Sequence, residues 1–293
     1  MRDREIHVAF AGGGVLLLLH VGAIWALRER RVRFSGVAGT SAGAIAAAMT
    51  TSNVVPGKEM NDLILSFLPI TKKLVALELA SLPWKYGLFS TRKLEKALSP
   101  HLPQTFGDTP HPVSVFTADV DAQKVVEWST SKTPAESFVE RVVDSCRIPG
   151  VFQAKPIDGH QHTDGGIGRN YPIDAWNNAR NQPPENLLGI RFDNTVSGPL
   201  PARKGWWRVG HNNLRHYLGQ LSLSMFAATE ESREDAKGAR EVVLSVPQSL
   251  RKNGVNGMDF SISQDDALAL IREGRAQTHN QLDITVKIRR PRA

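Results

Sequence analysis

The chain has 293 residues, a formal charge of +7, 41% apolar residues and one cysteine, Cys146. A single thiol cannot close an intramolecular disulfide, which excludes a small disulfide-stapled secreted scaffold. Length and apolar content suit one large α/β domain over residues 1–293, expected in a reducing cytoplasm, and the positive excess favours approach to anionic surfaces such as lipid headgroups or nucleotides.

The first element is the charge-free run of residues 6–27, IHVAFAGGGVLLLLHVGAIWAL. It is a poor signal peptide, because acidic residues stand before it, His7 interrupts its start and no basic start is followed by a small-residue cleavage site. It is a poor membrane helix, because Gly12, Gly13 and Gly14 interrupt it near the middle. The run divides better into a buried strand over Ile6 to Phe10, a turn over Ala11 to Gly14, and a helix from Leu17 to Arg31. FSGVAG then reads as a second strand, so the N-terminus is a βαβ unit whose missing charges are core residues. Neither a signal peptide nor a transmembrane helix is expected. The glycines do not make a nucleotide site: Leu17 breaks the G-x-G-x-x-G spacing and no G-K-[ST] follows. They do open a helix, where free backbone N–H groups can face an anion.

At the end of the second strand stands Gly39-Thr-Ser41-Ala42-Gly43, a G-x-S-x-G pentapeptide leading into the helical AGAIAAAMT. Strand before and helix after give this pattern its meaning. Gly39 and Gly43 relieve crowding between strand and helix, and Ser41 takes the sharp turn with its hydroxyl exposed at a helix N-terminus. The N–H groups of Gly12, Gly13 and Gly14 come from the end of the neighbouring strand and could face the oxyanion of an acyl-transfer intermediate. Residues 50–90 carry apolar clusters without a catalytic motif and could form a lid over an acyl groove.

Among the histidines His279 is the candidate base, and a metal site is one reading of Asp164. His279 is late enough to complete a Ser-Asp-His order, although its surroundings are polar and helix-like. His160, His162 and Asp164 alternate, so an extended backbone would align them as metal ligands, although Gly159 suggests that His160 still lies in the turn. Asp164 itself begins Asp164-Gly165-Gly166, in which the glycines offer free backbone dihedrals, after an Asp158-Gly159 hairpin signal and a short QHT strand. Cys146 reads as a packed small hydrophobe. Arg203, Lys204, Arg208 and Arg215, interleaved with Trp206, Trp207 and Tyr217, form a basic aromatic segment suited to a membrane surface, a nucleotide or simple packing.

Taken together, GGG at 12–14, GTSAG at 39–43 and IPGVF through DGGIGRNYPI at 148–173 resemble the patatin-like phospholipases, a family of serine lipid acyl hydrolases. KYGLFSTRKLEKAL, VSVFTADVDAQKVVEW and MDFSISQDDALALIREGRAQ extend the likeness across most of the chain. The resemblance implies a three-layer α/β/α sandwich with a mostly parallel central sheet, and a Ser–Asp dyad of Ser41 and Asp164. It also implies an oxyanion loop of Gly12, Gly13 and Gly14 helped by Ala42, and structural positions at Asn170 and Pro172. Neither metal nor organic cofactor is implied. The expected substrate is a phospholipid or lysophospholipid met in transient contact with a membrane surface, with a nucleotide or protein activator as an alternative form of control and no nucleic acid partner. An unperturbed aspartate is a weak base, so Asp164 is expected to be desolvated and hydrogen-bonded to Ser41 Oγ. One departure stands out: where the family loop reads G-G-G-x-[RK]-G, this chain has GGGVLL. Leu16 and Leu17 replace the basic residue and the last glycine, and a catalytically weakened lipid-binding protein is the alternative they favour.

Overall fold

The computed structural model describes residues 5–52, 87–176, 186–193, 238–252, 254–257 and 262–288; the basic aromatic segment and most of residues 50–90 lie outside them. The charge-free N-terminal run is β1 (Glu5–Phe10), one 3-10 turn (Gly14–Leu16) and α1 (Leu17–Glu29). β2 (Arg33–Thr40) pairs parallel with β1, and α2 (Ala42–Thr51) follows it directly. The predicted helix end at Arg31 falls two residues earlier, because Arg31 takes a left-handed φ of 53° and the Val32 N–H turns back to Leu27 O. Such a residue at a helix end satisfies carbonyls that the helix leaves open.

The main sheet has eight strands among the described residues. Its order is β10 (Arg240–Leu244), β9 (Leu187–Phe192), β1, β2, β4 (Val113–Asp119), β8 (His160–Asp164) and β7 (Lys155–Ile157), with β5 (Lys124–Ser129) also on β4. β10, β9, β1, β2 and β4 are mutually parallel, whereas β5, β8 and β7 run antiparallel to their neighbours. A second, two-stranded sheet pairs β3 (Gly87–Phe89) with β6 (Gly150–Phe152). The fold is therefore the mixed α/β architecture with a mostly parallel central sheet that the sequence implied.

Burial explains the absence of charge near the N-terminus. Phe10, Leu19, Ile24 and Leu27 are wholly buried, in one apolar cluster with Val37 and Met49. α1 is covered on its outer side by the C-terminal helix α7 (Gln264–Ile288). The two helices approach where glycines face backbone: a β-carbon on Gly22 would strike Ile271 O, and one on Gly274 would strike Leu19 O. α3 (Arg92–Leu98) comes between α2 and β4, and α4 (Phe138–Asp144) follows β5. The opposite face of the sheet is crossed by α5 (Gly166–Arg169) and the turn after it, which bury Tyr171, Ile173 and Trp176 against β1, β2 and β9. The short α6 (Gln248–Lys252) follows β10.

Asp158 and Gly159 have φ of 51° and 85° and join β7 to β8. Two positive dihedrals in a two-residue loop are what an Asp-Gly hairpin requires. His160 is already the first residue of β8, paired with Ile157, and does not belong to the turn as its position after Gly159 suggested.

Candidate active site

The parallel ladder between β2 and β4 ends at Thr40↔Phe116, and the antiparallel ladder between β8 and β4 begins one residue on, at Thr117↔Asp164. β2 and β8 thus run toward each other along the same edge of β4. The residue that follows β2, Ser41, and the last residue of β8, Asp164, meet in the gap between them. No local signal in either segment specifies this meeting; β4 does, by pairing with both.

Ser41 has φ 55° and ψ −125° and immediately precedes α2. This conformation costs a non-glycine residue on the order of 1–3 kcal/mol and persists only where its surroundings impose it. The constraint comes from close packing. A β-carbon on Gly43 would enter the carbonyls of Phe10 and Ala11, and one on Gly39 would enter the Gly43 carbonyl. Ser41 N–H donates to Ser145 Oγ (2.9 Å), and the Cys146 thiol donates to Ser41 O (3.2 Å).

Asp164 is completely buried. Its Oδ1 accepts the Gly166 N–H at 2.7 Å, and its own N–H donates to Arg147 O. Loss of solvent pushes its pKa up to about 7, against smaller lowering effects of the Ser41 hydroxyl and the Gly166 N–H. Among the described residues Oδ2 has no hydrogen-bond partner. The expected bond to Ser41 Oγ is not made, although the Ser41 hydroxyl lies near enough to lower the Asp164 pKa. The two glycines after Asp164 do not serve as conformationally free residues. Gly165 is helical (φ −65°) and is needed because a β-carbon there would meet Phe116 O and Thr40, while Gly166 contributes its N–H.

The glycine loop lies against the same gap. A β-carbon on Gly12 would meet Asn170 Oδ1 and, at 3.1 Å, Ser41 Cβ. Gly12 N–H, expected among the oxyanion donors, already donates to Asn170 O at 2.9 Å, and Asn170 Nδ2 reaches back to Gly12 O. That is the structural role of Asn170; Pro172 opens the turn Ile173–Ala175. The N–H groups of Gly13, Gly14 and Ala42 make no hydrogen bond among the described residues. Gly14 has φ 56° and sits against Gly257 O, which also accepts the Val15 N–H. His20, on the first turns of α1, bonds through Nε2 to Ala11 O (2.8 Å) between the rings of Phe10 and Phe192. Burial lowers its pKa to about 4, so it stays neutral and anchors the loop. Sequence reasoning passed over His20 because a histidine in an apolar helix gives no sign of its partner.

Other candidates are assigned elsewhere. His279 Nδ1 accepts from Arg30, and its Nε2 faces Glu29 Oε2 at 2.8 Å, so it belongs to the α1–α7 contact. His160 pairs with Asp119 and His162 with Thr117; among the described residues no group of three or more His, Cys, Asp or Glu could hold a metal. Leu16 is buried in the apolar core, and Leu17 packs on its margin.

The family model for Patatin-like phospholipase matches residues 8–176, more than half of the chain and a span that includes the glycine loop, Ser41 and Asp164. The chain belongs to the patatin-like phospholipase family. Membership supports lipid acyl hydrolysis as the general activity. Uncharacterized protein YqhO of Bacillus subtilis (strain 168) is 28% identical over 298 residues, covering 92% of this patatin-like chain and 95% of that protein. VipD from Legionella pneumophila superposes with a TM-score of 0.53 at 17% identity, over 95% of this chain and 67% of VipD. The type III effector protein ExoU gives 0.45 at 16% identity, over 97% of this chain and 53% of ExoU. The chain thus spans about two thirds of VipD and about half of ExoU, and the likeness to VipD concerns the fold. No helix among the described residues is long and apolar enough to cross a membrane.

Proposed function

We propose that the chain hydrolyses fatty-acyl esters of phospholipids or lysophospholipids, with Ser41 as nucleophile and Asp164 as general base and acid. The observation that carries this reading is the convergence of β2 and β8 on one edge of β4, which sets a strained, helix-opening serine beside a buried carboxylate. With its pKa at about 7, Asp164 is far better matched than an ordinary aspartate to accepting a hydroxyl proton near neutrality. As Ser41 Oγ attacks the ester carbonyl, its proton passes to Asp164 Oδ2. The carbonyl oxygen becomes an oxyanion facing the N–H groups of Gly13, Gly14 and Ala42, which make no hydrogen bond among the described residues. Collapse returns the proton to the leaving alcohol and leaves an acyl-serine, which water cleaves by the same exchange. Substrate is met at an anionic membrane surface, which the +7 charge favours.

The test is fatty-acid release from mixed anionic liposomes by the wild type and Ser41→Ala, both shown to be folded by circular dichroism. Release confined to the wild type is expected. Equal release by both would remove Ser41 from the chemistry, and release from neither, with or without added nucleotide, would remove constitutive hydrolysis.

A further inference from the structure

The phase of the β2–β4 ladder is fixed by the Val37 N–H donating to Pro112 O. In a parallel ladder the donors on one strand recur every second residue. Gly39 would then donate to Ser114, and Ser41 to Phe116. That last bond is not made. Ser41 N–H donates instead to Ser145 Oγ (2.9 Å), and Ser145 Oγ donates to Phe116 O (2.6 Å). The hydroxyl stands between donor and acceptor, satisfies both and spreads the two strands at the point where β2 must turn. Ser145 has no exposed surface and is held by the end of α4, its N–H on Arg141 O at 3.0 Å. Two residues further on, Arg147 O accepts the Asp164 N–H (2.9 Å) and the Thr163 hydroxyl. The Arg147 side chain is tied to buried Asp144 (2.8 Å), which also holds Arg141.

We infer that Ser145 is a positioning residue for the nucleophile: its hydroxyl is spliced into the β2–β4 ladder to hold the Ser41 backbone turned, and the Ser145-Cys146-Arg147 segment thereby fixes Ser41 relative to Asp164. The consequence for turnover rests on the serine-hydrolase reading; the splice itself does not.

A hydroxyl acting as a ladder insert is replaceable by water where space is left for one. Ser145→Gly leaves that space, whereas in Ser145→Ala the β-carbon stays and two buried groups are left without partners. Ser145→Ala is expected to lower kcat at least roughly ten-fold with KM within about two-fold, since misplacement of a reacting group falls on the chemical step. Ser145→Gly should keep more activity than Ser145→Ala, although glycine is the more disruptive residue at a helix end that is not left-handed. Independently of activity, exchange of the Ser41 amide hydrogen, followed by nuclear magnetic resonance, should be slow in the wild type and in Ser145→Gly and fast in Ser145→Ala. The inference is overturned if Ser41 exchange is the same in all three, or if Ser145→Gly loses as much kcat as Ser145→Ala. Should the wild type release no fatty acid, the proposed function falls and the Ser41 exchange rates still decide the splice.

Discussion

Replacing Asp164 by asparagine should change stability in a pH-dependent way whose sign follows from burial. The carboxyl titrates at about 7 in the folded chain against a reference of 3.8. A group whose folded pKa is raised favours folding while protonated, so its contribution is complete below about pH 4 and is lost as pH rises through about 7. Three pKa units correspond to about 4 kcal/mol. Asparagine keeps the shape, and its carbonyl can still accept the 2.7 Å bond from Gly166 N–H, yet it never ionises. The stability of Asp164→Asn minus that of the wild type should therefore climb by about 4 kcal/mol between pH 4 and pH 8 and then level off. Urea unfolding at closely spaced pH values measures the difference, in which all other titrating groups cancel. Over the same interval the wild-type kcat/KM should rise with the ionised fraction, and the variant should fall by roughly 10² to 10⁴ at neutral pH. A difference curve flat in pH, or a variant that retains near-normal turnover, would refute the argument that one buried carboxylate both strains the fold and serves as the base.

His279→Gln should leave kcat and KM within about two-fold, because the imidazole contacts Glu29 and Arg30 at the end of α1; a large loss of kcat alone in liposome assays would contradict that placement. Leu16→Arg combined with Leu17→Gly restores the family loop sequence, but Leu16 is only 2% exposed and lies in the core. The double variant is expected to lose roughly 3 kcal/mol in chemical denaturation, and activity above wild type would show that the core accommodates the cation. Gly43→Ala should cost about 1–3 kcal/mol and reduce turnover more than binding, since its methyl would press on the Phe10 and Ala11 carbonyls that lead into the glycine loop. Thermal unfolding together with steady-state kinetics would reveal a harmless substitution.

Much of the site could be read locally. The glycine triplet between strand and helix, the G-x-S-x-G turn and the Asp-Gly hairpin each need only a few neighbouring dihedrals and a contrast between apolar and turn residues. Those choices are made within a few residues, so the sequence carries them in plain form. The nature of the two glycines after Asp164 was misread for the same reason: a glycine chosen because Phe116 O and Thr40 lie close looks, in one dimension, identical to one chosen for a positive φ.

Tertiary structure alone decided what the local motifs do to one another. Ser41 and Asp164 are 123 positions apart in the chain and meet because β4 ends its pairing with β2 at Phe116 and takes up β8 at Thr117. The same packing commits Gly12 N–H to Asn170, leaves the N–H groups of Gly13, Gly14 and Ala42 without a partner among the described residues, and removes the water around Asp164 that would have kept it an ordinary acid. Strand register and burial are sums over contacts distant in sequence. The sequence by itself determined the kinds of chemical groups present and the turns that carry them; the fold decided which of them meet and the proton affinity of Asp164.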